Sequence, residues 1–154
     1  MNALELKIPP VAVALLLAVA MWFASSVVPL SFELPFAARA IAAAIPALVG
    51  AGIGLAGVAA FRQARTSVNP IKPDAASALV GSGIYGVSRN PMYLGLLLAL
   101  LAWATYLSNA LAFIVGMAFV PYMNRFQIMP EERVLSASFG AEFADYKARV
   151  RRWL

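Results

Sequence analysis

The chain has 154 residues, 62% of them hydrophobic and only 12% charged, with a formal net charge of +5 and a mean hydropathy of +0.80. A soluble domain of this length has no use for so much apolar surface, so the composition selects an integral membrane protein. Cysteine and histidine are both absent, which excludes structural disulfides, thiolate nucleophiles, histidine bases and the usual zinc sites together.

Met1 to Lys7 is a short lead of mixed charge, followed by a charge-free run from Ile8 to Leu30. Crossing ~30 Å of hydrocarbon takes about 20 apolar residues, so this run is read as a first membrane helix. The small Ala24-Ser25-Ser26 would suit a signal-peptide cleavage site. The run nevertheless exceeds the usual apolar core of about 7–15 residues, and the lead is not clearly basic. A connector from Ser31 to Arg39 leads into a second charge-free run, Ala40 to Phe61. Its Gly50, Gly52, Gly54 and Gly57 leave little side chain on part of the surface and invite a neighbouring helix close.

Arg62 to Ser82 is polar, with Asn69-Pro70 and Lys72-Pro73-Asp74, and reads as loop. Pro91 to Met123 carries no charge. A single helix of that length would run ~50 Å, beyond the bilayer core, so a break is expected at Ser108-Asn109, giving a tight hairpin with Trp103 and Tyr106 near the far interface. Pro130 opens a last segment with Glu131 and Glu132 in its first turn, where a helix dipole favours carboxylates. Leu135, Phe139, Phe143, Tyr146, Val150 and Trp153 then recur at helical spacing, which predicts one amphipathic helix on the membrane surface or docked on the protein's own loops. The fold class expected is thus an all-α integral membrane protein, with four membrane helices and a C-terminal amphipathic helix. Two regions follow: membrane helices over 1–61 and a catalytic region over 62–154.

Lysine and arginine are unevenly placed. Arg39 stands alone in its connector and the 108–109 turn has none, whereas Arg62, Arg65, Lys72, Arg89, Arg125, Arg133, Lys147, Arg149, Arg151 and Arg152 fall in the 62–89 loop and the tail. The positive-inside rule puts both termini and that loop in the cytoplasm, in a multi-pass protein of a bacterial inner membrane. With so little soluble surface, the basic residues are read as orientation signals and not as a nucleic-acid site. This arrangement gathers guanidinium groups, a carboxylate pair, Tyr85, Tyr93 and the Gly83/Gly86 loop on one face. Such a mixed-charge set suits a zwitterionic ligand and a reaction whose reactive group a cofactor supplies.

The run Leu79-Val80-x-x-Gly83-x-Tyr85-x-x-Ser88-Arg89-Asn90-Pro91-Met92-Tyr93-Leu94-Gly95 and the pattern Glu131-Glu132-x-x-Leu135-x-x-x-Phe139-Gly140-x-Glu142-Phe143-x-x-Tyr146-x-x-x-Val150 carry a resemblance. Together, with a weaker match at Thr66-Ser67-Val68-Asn69-Pro70, they resemble the isoprenylcysteine carboxyl methyltransferase and phospholipid methyltransferase superfamily of membrane enzymes. The resemblance implies S-adenosylmethionine as cofactor, held by Gly83, Tyr85, Arg89, Asn90, Pro91, Tyr93, Gly95, Glu131 and Glu132, with Arg89 and Glu132 in catalytic roles. Arg62, Arg65 and Arg125 are the candidates for holding an acidic group of a lipophilic substrate, and no metal is expected. Pro91 and Glu131 also suit plain helix-start roles and Tyr93 an interface anchor. One departure stands out: the family's signature commonly has histidine where this chain has Asn90, which keeps a donor and an acceptor but cannot titrate near neutral pH. Lacking a histidine base, the chain leans toward carboxyl over amine methylation. A nicotinamide-dependent reductase of sterol-reductase-like architecture and a non-enzymatic membrane scaffold remain open alternatives at this point.

Overall fold

The computed structural model describes residues 5–64 and 78–154, and among these it is all-helical, with one isolated β-bridge between Ser31 and Asn109. Helices α1 (Pro10–Val27) and α2 (Phe36–Gln63) come first. A 3₁₀ turn (Gly83–Gly86) precedes α3 (Pro91–Leu107). Then α4 (Ala110–Met117), α5 (Phe119–Met123), a π turn (Asn124–Ile128) and α6 (Met129–Arg149) follow one another almost without interruption. Pro10 and Pro91 stand in the first turns of α1 and α3. A missing N–H costs nothing there and the fixed φ favours the helix.

The bundle is apolar on its outside. Leu15, Leu16, Val19, Trp22 and Phe23 of α1, and Ile41, Ile45, Leu48 and Leu55 of α2, are all more than half exposed. Such a surface is stable only in lipid. Among the described residues, three helical stretches are long and apolar enough to cross a membrane: α1, α2 and the run from Ala110 onward. In that last run the charge-free part ends at Met123, and 129–149 is too polar to lie in hydrocarbon. Helix α3, at 17 residues, reaches only about 25 Å, short of the ~30 Å core. Its break from α4 falls at Ser108, in a left-handed conformation, and Asn109.

This turn is closed by hydrogen bonds that hydrocarbon makes obligatory. Asn109, fully buried, accepts from the amides of Leu111 and Ala112 with Oδ1 at 2.9 and 3.3 Å, and donates from Nδ2 to the Val28 carbonyl at 2.9 Å. The Phe32 and Ser108 main chains pair at 2.7 Å. The 28–36 connector and the 108–109 turn therefore form one end of the molecule, and the charged segments form the other.

Helices α2 and α3 touch backbone to backbone. A Cβ at Gly95 would lie 2.7 Å from the Gly50 carbonyl oxygen and 3.2 Å from Gly54 Cα, and one at Gly57 would lie 2.9 Å from Met92 Cγ. Gly50 and Gly57 pack helices as the sequence suggests, but Gly95, expected to make room for a cofactor, is filled by α2 instead. A close approach reads the same in sequence whether the visitor is a ligand or a helix. Gly95→Ala should therefore cost at least about 3 kcal/mol, the upper end of ordinary overpacking, because both neighbours are main chain and cannot yield. Gly52→Ala, whose Cβ meets nothing within 4 Å, should gain up to about 1 kcal/mol of helix propensity. Thermal melts of both variants in one detergent test the pair.

The sequence predicts that Pro130 opens a new helical segment, and it does so directly from the preceding π turn, with no break in the helical path. Proline removes one hydrogen bond and crowds the carbonyl four residues back, and a π turn is one way to absorb this. Here the Met129 amide bonds the Asn124 carbonyl, and the Phe126 carbonyl accepts instead from the Leu6 amide at 3.1 Å. The N-terminal lead thus uses the acceptor that Pro130 leaves free.

Candidate active site

Arg89 lies two residues before α3, mostly buried, and holds distant pieces of chain together. Its Nη1 donates to the carbonyls of Lys147 at 3.1 Å and Val150 at 2.7 Å, and its Nη2 to Glu132 Oε1 at 2.8 Å. Its amide donates to the Arg151 carbonyl at 3.0 Å. Arg152 completes the cluster from Nη2 to Glu132 Oε2 at 2.7 Å and from Nε to Oε1 at 3.2 Å. A cation at a helix C-terminus satisfies orphan carbonyls and the dipole at once. Arg89 does this for α6 while also pairing with that helix's first turn.

One guanidinium can do both only because α6 is not straight. Glu132 and Lys147 would lie about 22 Å apart on a continuous helix. At Gly140 the backbone takes φ 49° and ψ −119°, and the helix turns back on itself. Phe143, Tyr146 and Val150 then pack with Leu135, Phe139 and Leu79 into a small second core. This corrects the expectation of one amphipathic helix: the segment is two helical pieces, docked on the protein's own 79–89 stretch. The Tyr146 hydroxyl donates to the Tyr85 carbonyl at 2.8 Å, and the Tyr85 ring meets Phe61 of α2 edge-on at 5.3 Å. Burial pushes the Tyr146 hydroxyl up to about 12 and that of Tyr85 higher still.

Glu131 points the other way along the same turn. Its Oε1 accepts from the Tyr93 hydroxyl and from Gln127 Nε2, the latter at 2.6 Å. Tyr93 is thus an internal partner and not an interface anchor. Burial lifts the Glu131 carboxyl to about 7, against the opposing pull of the Tyr93 and Gln127 hydrogen bonds. Burial also acts on Glu132, but hydrogen bonds from Arg152 and Arg89 outweigh it and hold that carboxyl below its ordinary value. The adjacent carboxylates are therefore pushed apart, one a permanent anion and one able to exchange a proton near neutrality.

The sign for Glu131 is definite. A carboxyl whose native value is raised stabilises the fold only while protonated, so that contribution fades as pH climbs from 4.5 to about 7. Glu131→Gln keeps an acceptor for Tyr93 and removes the charge. Its melting temperature should rise relative to the parent chain across that interval and hold a constant offset above it. Parallel melts at pH 5 and pH 8 check this, and an offset equal at both would contradict it.

The remaining predicted residues divide. Asn90 donates from Nδ2 to the Arg152 carbonyl at 2.9 Å, a bond an imidazole N–H could also make, and its own amide rests on Ser88 Oγ at 3.1 Å. Pro91 is fully buried, its Cγ 3.4 Å from where a Gly57 Cβ would stand, so it starts and packs a helix. Gly83 holds φ +61° with open space around it. Arg62 is exposed in the last turn of α2. Arg125 does not join the cluster: with Arg133 it grips Glu5, at 2.9 and 2.6 Å. The Arg125 hydrogen bond, ahead of the Arg133 contact and against burial, lowers the Glu5 carboxyl. Arg65, Thr66 to Pro70, Lys72 and Asp74 lie outside the described residues. Sequence reading missed Glu5, Gln127, Gly140 and Arg152. Of these only Gly140 left a signal, a glycine interrupting a helical pattern.

The phospholipid methyltransferase family matches residues 38–142, well over half of the chain. The chain therefore belongs to that family, within the isoprenylcysteine carboxyl methyltransferase-like superfamily of membrane methyltransferases. Over 63 residues it is 51% identical to an uncharacterized protein of Haemophilus influenzae, an alignment covering 41% of this chain and 100% of that protein. No solved structure matches it.

Proposed function

We propose that the chain is an S-adenosylmethionine-dependent methyltransferase of a lipophilic substrate, with its site at the charged end of the bundle, around Arg89, Asn90, Tyr93, Glu131 and Glu132. The observation that carries this reading is the convergence of Arg89 with Glu132, in the turn that also carries Glu131, in a chain of this family. The residues fit the cofactor's chemistry. Arg89 Nε is buried with no hydrogen-bond partner among the described residues, an N–H suited to a carboxylate oxygen. Glu131 and Glu132 supply negative charge for cationic centres, and Tyr85 offers an aromatic ring beside them. The bound cofactor supplies an electrophilic methyl on a sulfonium, open to in-line attack by a nucleophilic oxygen or nitrogen.

The protein's own work is to position, to exclude water and to manage one proton. Arg89 is held in one orientation by main-chain carbonyls on one side and Glu132 on the other, which leaves its Nε–H as the donor for a ligand. The lean toward a carboxyl acceptor rested on the lack of a base; the Glu131 carboxyl, raised to about 7, is a base for an amine acceptor as well. Orientation follows from the arginine and lysine asymmetry: the charged end faces the cytoplasm, four passes cross the membrane, and the substrate arrives from the lipid side.

The test is incubation of the purified protein and host lipid extract with methyl-labelled S-adenosylmethionine, followed by identification of the labelled product. Label in a lipid fraction, and thermal stabilisation by S-adenosylhomocysteine but not by NADPH, are the expected results. Cofactor binding without label in any lipid or small molecule, or stabilisation by NADPH alone, would refute the assignment.

A further inference from the structure

The opposite end of the bundle carries a second feature, independent of the methyltransferase reading. Beyond the Gly50–Gly95 contact, α2 presents only alanines to α3, and α3 presents two alanines followed by Trp103 and Tyr106. A shallow groove of about 350 Å³ opens between Ala43, Ala44 and Ala47 on one side and Ala99, Ala102, Trp103 and Tyr106 on the other. It lies within the apolar span and is open to lipid. Arg39 stands one helical turn before Ala43, where the groove meets the 28–36 end. Its guanidinium lies 5.6 Å from the Phe36 ring centroid and 5.8 Å from that of Tyr106. Tyr106 in turn stacks on Trp103 at 5.6 Å. Arg39 makes no ion pair among the described residues, and its Nε is buried without a hydrogen-bond partner.

A fixed cation at the hydrocarbon edge needs an anion, and aromatic faces alone do not neutralise it. We infer that this is a binding site for an anionic glycerophospholipid of the leaflet opposite the charged cluster, its phosphate on Arg39 and an acyl chain along the alanine groove. The pairing of one positive head position with one apolar trough matches the two parts of such a lipid. Glu33, the carboxylate of the same connector, makes no ion pair with Arg39, which leaves the guanidinium for a phosphate. Trp103 gives its own N–H to the Ala18 carbonyl at 3.0 Å, so the ring is held as a wall and is not spent on the ligand.

The experiment uses the full chain, delipidated in a neutral detergent, and follows the melting temperature as phosphatidylglycerol is added. Saturating lipid should raise it by several degrees, as about 100-fold excess over Kd does for a protein of this size. Phosphatidylcholine and inorganic phosphate should give less than a third of that shift. Arg39→Gln should abolish the response, Ala47→Leu should weaken it by narrowing the groove, and Arg149→Gln, exposed at the other end, should leave it intact. Equal stabilisation by phosphatidylcholine or by inorganic phosphate, or an undiminished response in Arg39→Gln, would overturn the assignment. Where Arg39→Gln melts early, native mass spectrometry of phosphatidylglycerol retained by Ala47→Leu against the parent chain decides: equal retention overturns it and reduced retention supports it.

Discussion

Replacing Gly140 with alanine is expected to detach the tail from the charged cluster while leaving most of the helix in place. The backbone there, at φ 49° and ψ −119°, lies outside every region open to a residue with a Cβ, including the left-handed helical one near ψ +47°. Strain of this kind costs about 1–3 kcal/mol, and the chain has a ready escape: straightening the kink restores two regular turns. Straightening also carries Lys147, Val150 and Arg152 away from Arg89 and Glu132, so the second core and the tail's share of the cluster are lost together. Far-UV circular dichroism should show unchanged or increased helicity, and the stabilisation by S-adenosylhomocysteine that the proposed function entails should disappear. Gly140→Asn is the informative companion, since asparagine tolerates the left-handed region but gains nothing at ψ −119°. A Gly140→Asn variant that keeps cofactor stabilisation would show that the turn is not what assembles the cluster.

Glu132→Ala acts on the same cluster through charge. The side chains of Arg89 and Glu132 are only 12% and 14% exposed, so removing the carboxylate leaves cations facing one another in a poorly solvated place. Breaking such a pair costs about 3–5 kcal/mol. The lower figure applies because the Arg152 side chain is 34% exposed and can turn to water, which predicts a melting temperature lower by about 10 °C. Methyl transfer should be lost with it. Arg152→Gln should cost far less, since Arg89 still neutralises Glu132. Equal losses from both variants would argue that the cluster is held by its total charge and not by the Arg89–Glu132 pair.

Much of this was legible in the sequence, for reasons that differ by element. Charge-free runs mark α1 and α2 because hydrocarbon tolerates nothing else, and Ser108-Asn109 marks the break because an over-long apolar run must end somewhere polar. The meeting of Arg89 with Glu132 follows from sidedness: segments on one side of the membrane share little space. Roles that depend on what stands opposite were not legible. Gly95 looked like room for a ligand and is room for α2. Arg125 looked like a substrate residue and is claimed by Glu5, at the far end of the chain. The apolar periodicity continued past Gly140, and although a glycine there signals an interruption, only the backbone angles reveal that the chain reverses. Pro130 reads in sequence as the start of a new segment, and it does stand in the first turn of α6, but a π turn with a borrowed amide from Leu6 joins that helix to the one before it.

The loop at Arg89 is held to the tail chiefly by main-chain oxygens, those of Lys147, Val150, Arg151 and Arg152. Every amino acid carries that oxygen, so the tail's side chains are free to drift under mutation without loosening the fastening. Substitutions at Lys147 or Arg151 would then leave the fastening in place.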